Sequence, residues 1–183
     1  MAGVTFTARF EDAQVRRAIV ALTVLERGDG ILRAIGVGLA RNVRERFDQG
    51  VDPDGRPWAA LHPLYAPLKR GPGILRESAM RGGLQGSISS DVRGRAVVVG
   101  SNKIYAAVHQ FGATIRPRNA PALVFRLATG QMVKTKRGAR PESALVFAQS
   151  VTIPARPYLG LSARDADTIR EVVFDGLSRA MRG

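Results

Sequence analysis

Tyr105-Ala106-Ala107-Val108-His109-Gln110-Phe111-Gly112 and, after a long excursion, Ile153-Pro154-Ala155-Arg156-Pro157-Tyr158-Leu159 are the stretches from which the rest of the chain is read. In the first, Tyr105, Val108 and Phe111, or Tyr105 and His109, recur at spacings of three and four, which places them on one side of a short helix. Gly112 is the expected stop, because glycine enters a left-handed backbone without a Cβ penalty. In the second, prolines on both sides of Ala155-Arg156 hold the chain extended. The Arg156 guanidinium can fork onto a carboxylate of a neighbouring subunit or pair within its own chain near the Gln110 turn, and the second use is the one expected.

Just before the first stretch, Ser87 to Val92 and Arg95 to Gly100 flank Arg93-Gly94, two runs of strand formers around a turn, so a β-hairpin is expected. After Gly112, residues 122–127 and 145–151 read as a further strand pair. Their connector, from Gly130 to Pro141, carries Lys134, Lys136, Arg137 and Arg140 and reads as an extended, mobile basic tip. Such a tip contacts DNA or an acidic neighbour, or it is simply a solvated loop.

Working back to the start, Val4, Phe6, Ala8 and Phe10 alternate with polar residues, as in a first strand or an arm that adds to a neighbour's sheet. From Asp12 the period becomes helical, with Val15, Ile19, Leu22 and Leu25 on one face and Gly28-Asp29-Gly30 as the stop. A second helix follows from about Ile31, with Ile31, Ile35, Leu39, Val43 and Phe47 inward and Arg41, Arg44, Glu45 and Arg46 on the remainder. Gly36-Val37-Gly38 lacks the third glycine of a phosphate loop and points instead to close packing, most simply helix on helix.

The prolines of residues 48–73 forbid long regular elements and predict a surface loop, pinned to the core by Trp58 with Leu61 and Leu64. Asp48, Asp52 and Asp54 lack the ligand spacing of a calcium loop, and a Pro-Asp-Gly turn accounts for them. At the other end, Ser162 and Asp165 form a capping-box pattern before a helix whose stripe is Ile169, Val172, Val173, Leu177 and Ala180.

With 183 residues, 45% of them apolar, the chain suits one domain with a real core. Its net charge of +13 points to a polyanionic neighbour or to inter-subunit pairing. The chain has no cysteine, which excludes disulfides, thiolate metal sites and cysteine nucleophiles. The start lacks a secretory signal pattern, and the apolar run from Ile31 to Ala40 is too short for a membrane span, so a soluble protein is expected. His62 and His109 are the only imidazoles, too few for a zinc site and little to build a nucleophilic triad from. His109 reads as a hydrogen-bonded structural histidine. No catalytic residue, cofactor or metal is expected, and an enzyme is not.

The pattern Tyr-Ala-x-x-His-Gln-Phe-Gly at 105–112, followed by Ile-Pro-Ala-Arg-Pro-Tyr-Leu-Gly at 153–160, resembles the phage virion morphogenesis family, the tail-completion and head–tail joining proteins of Mu-like phages. Asp52-Pro53-Asp54-Gly55-Arg56-Pro57-Trp58 and Gly82-Gly83-Leu84-Gln85-Gly86-Ser87-Ile88 extend the match, in the expected order from about residue 47 to 161. The resemblance implies a structural protein that completes the tail and joins it to the head as a homo-oligomeric ring, a hexamer, through which DNA passes. Its implied partners are further copies of itself, the tail-tube protein and the neck or head-completion proteins, with transient contact to packaged DNA and no membrane. The implied location is the virion's tail–head junction, with assembly in the host cytoplasm. Tyr105, His109, Gln110, Phe111, Gly112, Arg156, Pro157 and Tyr158 are the candidate subunit or partner interface, and Lys134, Lys136, Arg137 and Arg140 the candidate contact to DNA or an acidic partner. A head-side adaptor of the same connector and a free basic nucleic-acid-binding module are the competing readings. The expected fold is α+β. It has two N-terminal helices, a mostly antiparallel sheet of four or five strands with a long hairpin, and a C-terminal helix packed on that sheet. One domain, 1–183, would carry an N-terminal arm (1–10) and a projecting basic hairpin tip (130–141).

Overall fold

The computed structural model describes residues 29–69, 71–77, 83–135 and 138–182, and the side chains of 132–141 are not among those described. The expected N-terminal strand or arm and the first helix therefore lie outside the described residues. The fold class is the expected α+β.

The central element is α1 (Asp29–Gln49). Its apolar spacing works as read: Ile35, Val43 and Phe47 are buried, and Ile31 and Leu39 are half-buried. Two elements press on it from different sides. One is the antiparallel hairpin of β1 (Ile88–Arg93) and β2 (Ala96–Ser101), turning at Gly94 with φ of 59°. The other is the last helix, α3 (Ala163–Arg182), which begins after α2 (Ala106–Phe111) and four further strands.

Gly36 and Gly38 explain how both approach so closely. A Cβ on Gly36 would come within 2.9 Å of Ser90 Oγ on the hairpin, and one on Gly38 within 2.6 Å of Thr168 Cγ2 on α3. The expected helix-on-helix use thus holds for Gly38, while Gly36 admits the hairpin.

The remaining strands are β3 (Ala113–Ile115), β4 (Leu123–Thr135), β5 (Gly138–Ala148) and β6 (Val151–Ile153). They do not join the hairpin in one sheet. The described strands form three two-stranded ribbons, β1–β2, β3–β6 and β4–β5, all antiparallel. The C-terminal helix accordingly lies against α1, with Gly176 over Ile31 and Asp165 beside Asn42, and not across a single sheet.

The run 145–151, expected as one strand, breaks at Gln149–Ser150 and supplies two ribbons. The segment 130–141, expected as a mobile connector, is mostly strand: after a register irregularity between Ala128 and Met132 the ladder continues to the pair Thr135–Gly138. The ladder pairs through backbone groups that every residue but proline can offer in full, so its basic, weakly apolar residues carry little strand signal.

The core consists of Ala40, Val43, Phe47, Trp58, Leu84, Ile88 and Tyr158. Phe47 stands edge-on to Trp58 at 5.3 Å and tilted against Tyr158 at 5.1 Å, distances at which aromatic rings attract. Trp58 does pin the proline-rich loop, whereas Leu64 is exposed and the loop's second attachment is its backbone: the Ala128 N–H donates to the Leu64 carbonyl at 2.6 Å. The turn at 52–56 is local, since Asp52 Oδ1 accepts the backbone N–H groups of Asp54 (2.9 Å) and Arg56 (2.8 Å).

Candidate functional site

The stretches 105–112 and 153–159 meet, and most of the residues at their contact have a structural duty. The His109 carbonyl at the end of α2 accepts the Arg156 N–H at 2.7 Å. The Gln110 amide reads the backbone opposite it. Its Oε1 accepts the N–H groups of Tyr158 and Leu159, both at 3.0 Å, and its Nε2 donates to the Leu159 carbonyl at 2.9 Å. Gly112 has φ of 73°, and a Cβ there would stand 2.8 Å from Ala155 N, so both conformation and space demand glycine. Beyond it the chain pairs directly, Ala113 with Ile153 and Thr114 with Thr152.

The second stretch binds the rest of the molecule. Buried Arg156 donates through Nε to the Ala59 carbonyl at 2.7 Å and through a terminal nitrogen to that of Ala60 at 2.8 Å. It therefore serves its own chain, as expected, but its side-chain partners are carbonyls of the proline-rich loop and not an acid or helix end near the Gln110 turn. The Pro157 carbonyl accepts Trp58 Nε1 at 2.7 Å, and the buried Tyr158 hydroxyl donates to the Ala106 carbonyl at 3.2 Å.

Arg46 and Asp165 complete this clasp, and sequence reasoning missed them. Arg46, expected on the outer face of its helix, is buried; it donates to the carbonyls of Tyr158 and Gly160 at 3.0 Å and to Ser162 Oγ at 3.0 Å, and pairs with Asp165. Asp165 forms the expected capping box, accepting the Ser162 N–H at 2.8 Å while its own N–H donates to Ser162 Oγ at 3.2 Å. Asn42 Nδ2 donates to its other oxygen at 2.9 Å. Burial pushes the Asp165 carboxyl up, but the Ser162 N–H, the Asn42 amide, the Ser162 hydroxyl and the Arg46 charge together hold it below the usual carboxylate range. The available signal was Asn42 and Arg46, four apart beside the apolar positions Val43 and Phe47.

Two of the candidate interface side chains are not absorbed in this way. Phe111, at the end of its helix, is 78% exposed. His109 stacks edge-on against Tyr105 at 5.9 Å, but its buried Nδ1 has no hydrogen-bond partner among the described residues, contrary to the hydrogen-bonded role expected. Burial, then the charge of Arg156, pulls the imidazole below its ordinary pKa and keeps it neutral at pH 7. It borders a cavity of about 1070 Å³ between the proline-rich loop, α2 and the β4–β5 ribbon, walled by Leu61, Tyr65, Tyr105, Phe125 and Leu127. Burial raises the Tyr105 phenol, and Glu77, whose carboxylate accepts its proton at 3.3 Å, raises it further.

Of the basic tip residues, Lys134 and Arg140 lie on the paired strands β4 and β5, whereas Lys136 and Arg137 fall outside the described residues. Among the described residues no group of three or more His, Asp or Glu is placed to hold a metal ion, and no helix is long and apolar enough to cross a membrane.

The motif residues of both stretches thus serve mainly to clasp the fold. Residues 10–178 match the phage virion morphogenesis family. The chain belongs to that family. Over 172 residues it is 27% identical to the putative capsid assembly protein G of Escherichia phage Mu, covering 92% of each chain. No solved structure matches it. Its role therefore lies in building a phage particle.

Proposed function

We propose that this family member is a non-enzymatic virion protein that completes the tail and joins it to the head as a homo-oligomeric ring, a hexamer, with DNA passing through the lumen. The observation that carries this reading is the apolar surface left open in the single chain: Phe111 at the end of the clasp, and Val124, Leu145 and Phe147 on one ribbon. Large exposed apolar side chains in clusters mark surfaces that a partner covers. Tyr105, His109, Gln110, Gly112, Arg156, Pro157 and Tyr158 act on the partner by fixing where Phe111 stands. The tail-tube protein would meet one face of the ring and the neck or head-completion proteins the other, at the tail–head junction of the virion.

Electrostatics shapes the details. Six copies at +13 each would carry +78, and a lumen densely lined with that charge would hold DNA back. Most of the excess is therefore assigned to acidic neighbouring proteins, and the tip with Lys134, Lys136, Arg137 and Arg140 to the closest DNA approach or an acidic ring beside it. Residues 1–10 serve as an arm to a neighbouring subunit. The same charge favours, as a second reading, a free nucleic-acid-binding module.

Light scattering and negative-stain imaging of the full chain, with and without isolated tail tubes at two salt concentrations, separate these readings. Uniform rings, or decoration of one tube end, are expected. A monomer that ignores tubes and binds DNA in a salt-dependent way would replace the joining role with the nucleic-acid module.

A further inference from the structure

The β4–β5 ribbon has two apolar faces. In its register Val124 stands opposite Phe147 and Arg126 opposite Leu145, so these four side chains share one face. The other face carries Phe125 and Leu127, half-buried along the cavity that lies between the ribbon and the proline-rich loop. On the first face Val124 is 55%, Leu145 59% and Phe147 67% exposed, and Arg126 is exposed with no ion pair among the described residues.

A complementary surface lies elsewhere on the molecule. Phe174 is 70% exposed on α3, on the side turned away from Gly176 and α1. Glu171 and Met181 fall on that same side at helical spacing and Asp175 at its border; all three are exposed. Neither Glu171 nor Asp175 makes an ion pair among the described residues. One surface is thus apolar with a free cation, and the other apolar with two free carboxylates, beside the Arg170–Asp167 pair and exposed Arg182.

We propose that the outer face of the β4–β5 ribbon of one copy docks on the outer face of α3 of the next, Phe147, Val124 and Leu145 meeting Phe174 and Met181, and Arg126 meeting Glu171 or Asp175. This inference rests on the ring reading and names its contact. Because the two surfaces are different, the contact is heterologous, and repetition around a rotation axis closes a ring. The charged pair sets orientation and rejects wrong pairings, while the aromatic side chains supply the buried area.

Sedimentation velocity of the full chain carrying Arg126→Glu or Glu171→Arg tests it, with unfolding midpoints measured in parallel as a folding control. Each single variant is expected to weaken self-association at least tenfold. Mixing the two variants in equal amounts should restore it, because alternating copies then set the two introduced charges, now opposite in sign, against each other and leave the unaltered Arg126 of one variant facing the unaltered Glu171 of the other. Phe147→Ser and Phe174→Ser should each abolish rings, with no rescue on mixing. If the wild type forms rings while Glu171→Arg and Phe174→Ser also do, the inference fails and the ring reading stands. Failure of the mixture to recover also overturns it. A wild type that remains monomeric both alone and on tail tubes overturns the ring reading and this contact together.

Discussion

Phe47 and Phe147 stand in opposite surroundings. Phe47, on α1, is 1% exposed and wedged between Trp58 and Tyr158, whereas Phe147, on β5, is 67% exposed across from Val124. Around Phe47 the polar groups are also answered inside the chain: Trp58 by Pro157, Tyr158 by Ala106, Arg46 by Asp165. Around Phe147 the described residues offer the ribbon's own ladder. The clasp is finished by folding. The ribbon is a two-stranded unit of a kind that is marginal alone, and in the proposed ring a neighbouring copy covers it. Stability and association should therefore be separable by mutation.

The largest effect should come from the centre of the clasp. Arg46→Met leaves the buried Asp165 carboxylate without its cation and leaves the Tyr158 and Gly160 carbonyls without a donor. Breaking a buried pair from one side costs about 3–5 kcal/mol, read as a fall in unfolding free energy by urea titration. Removing both charges, as Arg46→Met with Asp165→Leu, should recover part of that loss. Acid probes the same group. Because folding holds the Asp165 pKa below its unfolded value of about 3.9, its contribution is complete above that pH and disappears as pH falls through the folded pKa. Asp165→Asn should flatten this acid limb.

Next in size is Gly112→Ala. A side chain at φ of 73° with a Cβ 2.8 Å from Ala155 N forces α2 away from the 153–159 segment, at a cost of roughly 1–3 kcal/mol. The same measurement checks it, and an unchanged midpoint would mean that the clasp is looser than its hydrogen bonds suggest. A smaller effect belongs to His109. Its folded pKa lies below the unfolded value of about 6.5, so the unfolded chain takes up the proton first and stability falls as pH drops below 6.5. His109→Gln should remove that slope between neutral pH and the folded pKa, and a slope that persists would assign it to another group.

Why the clasp was only half legible follows from its chemistry. Periodicity gave Val43 and Phe47, the Arg93-Gly94 turn gave the hairpin, and Ser162 with Asp165 gave the helix start, because each signal sits within a few residues of its partner. Arg46 with Asp165 was hidden because its partner lies 119 residues away and an arginine on a helix ordinarily faces water. Arg156 was read correctly as serving its own chain, but backbone carbonyls of Ala59 and Ala60 leave no mark in a sequence. The ribbons escaped for a related reason. Alternation reports which residues lie on a strand and is silent on which strands share a sheet, so three separate pairs look the same as one sheet.

The smallest effect on stability should be the most informative about assembly. Phe111→Ser and Phe147→Ser replace side chains that make little use of the folded chain, so each should move unfolding free energy by no more than about 0.5 kcal/mol. Against that quiet background, loss of the assembled form or of tail joining would assign these residues to partners, since nothing inside the chain would have changed. The two substitutions also divide the surface. Phe111 projects from the clasp, whose geometry Gln110 and Gly112 fix, whereas Phe147 belongs to the ribbon. If Phe147→Ser costs more than about 1 kcal/mol of folding stability in the isolated chain, the ribbon is packed by its own molecule and the contrast with the clasp collapses. If it is neutral for folding but destructive for rings, the ribbon's folding is completed by the neighbouring subunit, and the exposed aromatic side chain is the part of the fold that the single chain leaves to its assembly.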